Sequence, residues 1–200
     1  MQHNLDQSMC DVNFLPWIGD AYFENKWNGN LLILGESHYS VDDDDKYATR
    51  QLTKDYIDNK WSHPFWTNIM QVVTGAHHSQ QSRENFWQTV SFYNYIQASL
   101  DEARMAPDNQ MWEAAKIPFM QVVNALSPDK ILVLGYRLWD GLNIGGKSTG
   151  TITENGTELD LWAITRPDGS EIILGCIKHP SSGFSSETWA PLVKKFIEHT

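Results

Sequence analysis

In LLILGESHYS, residues 31 to 40, an apolar run meets a glycine and then Glu36, Ser37, His38 and Tyr39 without a break. An acid, a hydroxyl, an imidazole and a phenol crowded behind a buried strand are either an ordinary polar turn or the rim of a site. A serine between a strand and a possible helix suggests a serine-type hydrolase. The nucleophile elbow G-x-S-x-G, however, needs its second glycine for a strained turn, and Tyr39 stands there. Metal chemistry is weaker still. His77 and His78 are adjacent, there is no H-E-x-x-H, and no spacing puts ligands on one helical face. A phosphate-cradling G-x-x-x-x-G-K-[ST] is also missing.

Two later polar clusters join the first: the asparagine of SFYNYI, Asn94, and the loop KHPSSGFS with His179, Ser181, Ser182 and Phe184. Each has an ordinary alternative. Glu36 can cap a helix, Asn94 can satisfy backbone at a strand end, and His179 before Pro180 can be a loop histidine. What matters is whether the fold brings them together.

NLLILG reads as a buried strand, and SPDKILVLG as another after a Ser-Pro-Asp turn. RENFWQTVSFYNYIQ begins as a helix and becomes a strand near Val90 to Tyr95. ELDLWAIT and SEIILGCIKHP read as two strands joined by a Pro-Asp-Gly turn. Helical spacing runs from Ala48 to His78 with a break at Pro64. It recurs in PDNQMWEAAKIPFMQVVNAL, where Trp112, Ala115, Phe119, Val122, Val123 and Leu126 share a face. SSETWAPLVKKFIEH closes the chain as a helix with a serine cap. Alternating strands and helices predict an α/β fold, a three-layer α/β/α sandwich around a mostly parallel sheet of about four to five strands. In that class ligands bind outside the carboxyl ends of the strands, so the three clusters should open on one edge. A single domain is expected over residues 1–200, with 1–29 an extension packed on it.

Composition narrows the class. With 41% hydrophobic and 20% charged residues, the chain fits a soluble globular protein. No apolar run approaches the roughly 20 residues of a bilayer span. The first residues lack the regions of a signal peptide. Two cysteines make neither a disulfide framework nor a four-thiolate site. A reduced, cytoplasmic protein without membrane contact is therefore expected. The net charge of −10 is unusual for a nucleic-acid binder, and part of it is the run Asp42 to Asp45, expected to be a solvated, mobile loop that would repel phosphate. DNA binding would need a local basic face drawn from residues such as Arg83, Lys147, Arg166, Lys178 and Lys194.

In this order and strand context, the clusters resemble the uracil-DNA glycosylase superfamily. LILGESHY is similar to its first motif, GQDPYH in one branch and GEAPG in another; SFYNYI to its middle strand ending in asparagine; KHPSSGFS to its last motif, HPSPLS. PDKILVLGYRLWDGL resembles its third strand and following helix. The resemblance covers most of the chain from Asn30 onward.

It implies hydrolysis of a base–sugar bond in DNA. Glu36 would stabilise an oxocarbenium-like sugar or activate water, as carboxylates do in glycoside hydrolysis. His179 would donate to the base oxygen that gains charge. Asn94, with one acceptor and two donors, would read the edge of a flipped pyrimidine, aided by Tyr39, Ser37 and His38. Ser181 and Ser182 would grip phosphate while Phe184 fills the gap in the stack. No metal or other cofactor is implied, and the enzyme would be a monofunctional monomer, in repair or in antiviral defence.

The signature is mixed. Ser37 stands where the GQDPYH branch has its catalytic aspartate, and His38 replaces that motif's proline. Glu36 matches the GEAPG branch, whose four-cysteine iron–sulfur cluster two cysteines cannot supply. Tyr39 matches the tyrosine that crowds the pyrimidine 5-position. Nine tryptophans, with Trp61, Trp66, Trp139 and Trp189 in irregular-looking places, could stack on a larger base. The expected substrate is thus a modified or bulky pyrimidine, such as glucosylated hydroxymethylcytosine of phage DNA, or uracil. The rival from another class is a catalytically silent relative that binds nucleic acid or a protein.

Overall fold

The computed structural model describes residues 2–166, 168–181 and 183–199. In chain order the strands are β1 (Trp17–Ile18), β2 (Leu31–Gly35), β3 (His38–Tyr39), β4 (Ser91–Asn94), β5 (Ser99–Leu100), β6 (Lys130–Leu134), β7 (Lys147–Glu154), β8 (Thr157–Thr165) and β9 (Glu171–Ile177). The helices are α1 (Gln2–Ser8), α2 (Ala48–Ile57), α3 (Pro64–Thr74), α4 (Gln80–Trp87), α5 (Asn109–Ala114), α6 (Lys116–Leu126), α7 (Tyr136–Gly141) and α8 (Ser186–Glu198).

Seven strands form one mixed sheet in the order β1-β4-β2-β6-β9-β8-β7, and β3 pairs with β5 in a second, two-stranded sheet. The pairings β4–β2, β2–β6 and β6–β9 are parallel; β1–β4, β9–β8 and β8–β7 are antiparallel. The fold class is α/β, but the expectation of a mostly parallel sheet of four to five strands is corrected. Half the pairings are antiparallel, because a long β7–β8 hairpin extends one side and β1 caps the other. β7 carries no strand signal in its sequence. KSTGTITE is exposed along most of its length, so it carries no apolar alternation.

β2 and β6 are buried at every position, as near-continuous apolar runs in a sheet covered on both faces must be. Alternate residues enter two separate cores. Leu31 and Ile33 join Tyr56, Trp66, Ile69, Trp87 and Phe196 from α2, α3, α4 and α8. Leu32 and Leu34 join Phe119, Val122 and Leu138 from α6 and α7. The tryptophans read as irregular are mostly core. Trp66 lies in α3 and Trp189 in α8, both buried, while Trp139 is half-buried in α7.

The four parallel strands carry the functional geometry. β2 is central, the chain moves to β4 on one side of it and then crosses to β6 and β9 on the other. That reversal is a topological switch point, where open α/β sheets leave a crevice at their carboxyl ends. The residues after β2 and β6 flank it.

Candidate functional site

Glu36 follows β2 directly, and its backbone carbonyl accepts a 2.8 Å bond from Ile96 N–H while Tyr95 N–H donates to the Gly35 carbonyl at 2.9 Å. The acid is therefore fixed by the chain continuing from β4. Asn94 ends β4 and is buried, and among the described residues its side-chain amide makes no hydrogen bond. A Cβ placed on Gly35 would fall 2.2 Å from Asn94 Oδ1. Only glycine lets the amide lie against the base of the Glu36 strand end.

After β6 the chain turns at Gly135, whose φ of 110° suits glycine and where a Cβ would meet His179 Cβ at 3.3 Å. That turn starts α7 and throws Arg137 back across the edge. Arg137 Nε donates to Glu36 Oε2 at 2.8 Å, and a terminal nitrogen donates to Oε1, making a two-pronged ion pair. The Arg137 side chain is 47% exposed and that of Glu36 only 11%, so the guanidinium covers the carboxylate. The pairing raises the Arg137 pKa.

His179 follows β9. Its ring stacks on Phe65 of α3, centroids 5.2 Å apart, and Phe65 in turn packs edge-on against Phe92 of β4 at 6.2 Å. Desolvation lowers the His179 pKa. The charge of Glu36 opposes that shift, while Arg137 and His63 add to it. The shift favours the neutral imidazole, which has one N–H to donate. His63 caps α3, accepting from Phe65 N–H at 3.2 Å, and Asn68 of the same helix donates to the Pro180 carbonyl at 3.2 Å. α3 therefore anchors the loop that carries His179. Glu36, Asn94 and His179 thus all stand at the carboxyl edge of the parallel strands.

Other sequence candidates fare differently. Tyr39 is 50% exposed beside that edge. Ser37 is half-buried and makes no hydrogen bond among the described residues, so no base is paired with it for a serine-type hydrolase. His38 is 5% exposed, with Nε2 2.8 Å from the Thr49 hydroxyl and its ring edge-on to Phe14 at 5.0 Å. This is a core histidine rather than a substrate contact. Ser181 is half-buried in the loop, where its N–H donates to the His179 carbonyl at 2.7 Å. Ser182 lies outside the described residues. Phe184 stacks on Trp189 with centroids 6.4 Å apart and ring planes nearly parallel, and must leave that ring to fill a gap in DNA.

The acidic run is exposed, and three of its carboxylates are tied to backbone N–H groups. Asp43 accepts from Ser99 N–H at 2.5 Å, and Asp42 and Asp45 accept from Asp44 and Tyr47 backbone in the turn before α2. The basic face is also not the one expected. Arg83 is buried against Tyr56, Asn59 and His78; Lys147 pairs with Glu171; Arg166 bonds Ser170 and Pro128. Of those named, Lys178 stands at the edge, bonded to the Gly183 carbonyl at 2.8 Å. Arg137, His63 and Phe65 were not singled out from sequence. A basic residue two positions past the glycine of a third buried strand was the available signal for Arg137.

Burial of His38 has a consequence for stability. Desolvation holds its pKa down to about 4 from an ordinary 6.5, against a weaker pull from Asp45. The unfolded chain therefore binds this proton more readily than the folded one. Stability is full above pH 6.5 and falls as pH drops towards 4, by an amount on the order of 3 kcal/mol at most. Urea unfolding between about pH 7 and about pH 4 should show that slope, flattened in His38→Gln. Equal slopes in both proteins would mean that the imidazole titrates freely in the native state.

Among the described residues, no group of three or more His, Cys, Asp or Glu could hold a metal ion, and no helix is long and apolar enough to cross a membrane. Two grooves open away from this edge: about 740 Å³ between the end of α3 and α8, and about 240 Å³ beside α6 and Ile172. Neither touches Glu36, Asn94 or His179. No protein-family model matches the chain, and no curated protein matches it.

Proposed function

We propose that this protein is a monofunctional DNA N-glycosylase that flips a non-standard pyrimidine out of the strand and hydrolyses its N-glycosidic bond. The observation that carries the reading is the meeting of Glu36, Asn94 and His179, from three separate strands, at one carboxyl edge beside the switch point. Glu36 would stabilise positive charge on the sugar or activate water. Neutral His179 would donate to the base oxygen that gains charge as the bond breaks. The Asn94 amide, without a protein partner among the described residues, suits the edge of a flipped base. Phe65 backs the imidazole and keeps water from one of its faces. The α/β/α layering of the expected fold is consistent with helices contributing to two cores on alternate sides of the strands.

We take the substrate to be a bulky or modified pyrimidine, glucosylated hydroxymethylcytosine among them, rather than plain uracil, and the partner to be DNA bound by a cytoplasmic monomer. The test is alkaline cleavage of oligonucleotides carrying uracil or 5-substituted cytosines, which reveals abasic sites. Tyr39→Ala then separates the substrate choices. In a uracil enzyme it should admit thymine; in a modified-base enzyme it should mainly lose stacking and rate. Efficient cleavage of uracil with none of the glucosylated base would sink the preference for a bulky substrate.

A second reading is favoured by one feature. Arg137 occupies the carboxylate that chemistry requires, as it would in a catalytically silent relative that only binds nucleic acid or a partner protein. Strand binding without abasic sites on any oligonucleotide would support it.

A further inference from the structure

Among the described residues, the Arg137 guanidinium bonds Glu36 through two nitrogens and otherwise the backbone carbonyls of Arg104 and Met105, at 3.3 and 3.2 Å. Glu36 is thus its single anionic partner among the described residues. The pair is asymmetric, with the cation facing solvent and the acid beneath it. A planar guanidinium matches carboxylate and phosphate with the same two-pronged geometry. The half-exposed guanidinium is the member of the pair that an incoming anion can reach, while the carboxylate beneath it is largely shielded. Lys178 and His63 stand on the same edge, so an incoming anion meets further donors there.

We propose that Arg137 is an anion-exchange latch. In the free protein it covers Glu36, and a backbone phosphate of the bound strand takes over the guanidinium and uncovers the carboxylate. The proposal deepens the glycosylase reading and rests on it for the source of the phosphate. It makes Arg137 a positioning residue whose partner changes on binding. It also resolves how one edge can hold a carboxylate for chemistry and still attract a polyanion: the acid is neutralised until the strand arrives. The turn at Arg104, a non-glycine residue with φ of 73°, is held by the same side chain and is released with it.

A double-mutant cycle tests the exchange. The probes are an all-thymidine oligonucleotide, followed by fluorescence anisotropy at low salt, and inorganic phosphate, followed by the Arg137 Nε–H resonance and, in variants lacking that side chain, by calorimetry. If Glu36 competes with phosphate for Arg137, Glu36→Gln should tighten binding about threefold to tenfold. Arg137→Gln should weaken it by a similar factor. In the Arg137→Gln background the Glu36→Gln change should then shift affinity less than about twofold. Equal tightening in both backgrounds would reduce the effect to bulk charge and overturn the latch, as would no tightening at all. Because inorganic phosphate is one probe, the result stands apart from catalysis. A coupled cycle without base release keeps the latch and loses the glycosylase; base release with an additive cycle does the reverse.

Discussion

Glu36→Gln and His179→Ala should each lower the rate of base release by about 10²–10³, with the folded state retained. For His179 that is the range lost when one preorganised donor to a developing negative charge is removed, and the Glu36 carboxylate is the charge that faces the sugar. The two act at opposite ends of the breaking bond. Glu36 faces the sugar that becomes positive, and His179 the base that becomes negative. Neither is a core element. His179 is exposed at its rim, and Glu36 is held by Arg137 alone among side chains of the described residues. Single-turnover rates on a cleaved oligonucleotide, alongside melting temperatures, would make the check. Unchanged rates in both variants would remove this edge as the site.

The second large effect falls on stability. Trp87 is fully buried and its ring meets those of Tyr56, Trp66, Phe86 and Phe92. Trp87→Ala should cost about 3–5 kcal/mol through lost transfer energy and the cavity left behind. Against a total of roughly 5–15 kcal/mol for a domain, that leaves the chain near unfolding. Urea denaturation measures it. A loss below about 1 kcal/mol would show that this aromatic cluster is loosely packed.

The sequence signals that proved legible were those carried by single elements. LLILG is buried at every position because a central parallel strand must be, and the same holds for KILVL. The amphipathic stretch from Asn109 to Leu126 is two helices, α5 and α6; Ala115, Phe119, Val122, Val123 and Leu126 are buried as its periodicity required, while Trp112 of α5 is only half-buried. Glu36, Asn94 and His179 stand at the same end of the sheet because β2, β4 and β9 point the same way within it. What stayed illegible depends on contacts between distant parts of the chain. Arg137 is 101 residues from Glu36, and nothing local announces the pair. His38 sits inside the most suggestive motif, yet β3 pairing with β5 and the hydroxyl of Thr49 draw it into the core. Arg83 looks like a surface cation on a polar helix. It is buried because Tyr56 offers a carbonyl and a ring face and Asn59 and His78 bond its terminal nitrogens, while Nε has no partner among the described residues.

The most direct measurement is mass spectrometry of the products formed in heavy-oxygen water from an oligonucleotide bearing a single glucosylated hydroxymethylcytosine or uracil. Hydrolysis at the anomeric carbon should release the free, unlabelled base and leave one solvent oxygen on the abasic sugar. The wild type should do this and Glu36→Gln should not, and borohydride should trap no covalent adduct with the protein. Intact bases on every oligonucleotide, or base release that persists undiminished in Glu36→Gln, would contradict the assignment of this edge to base excision.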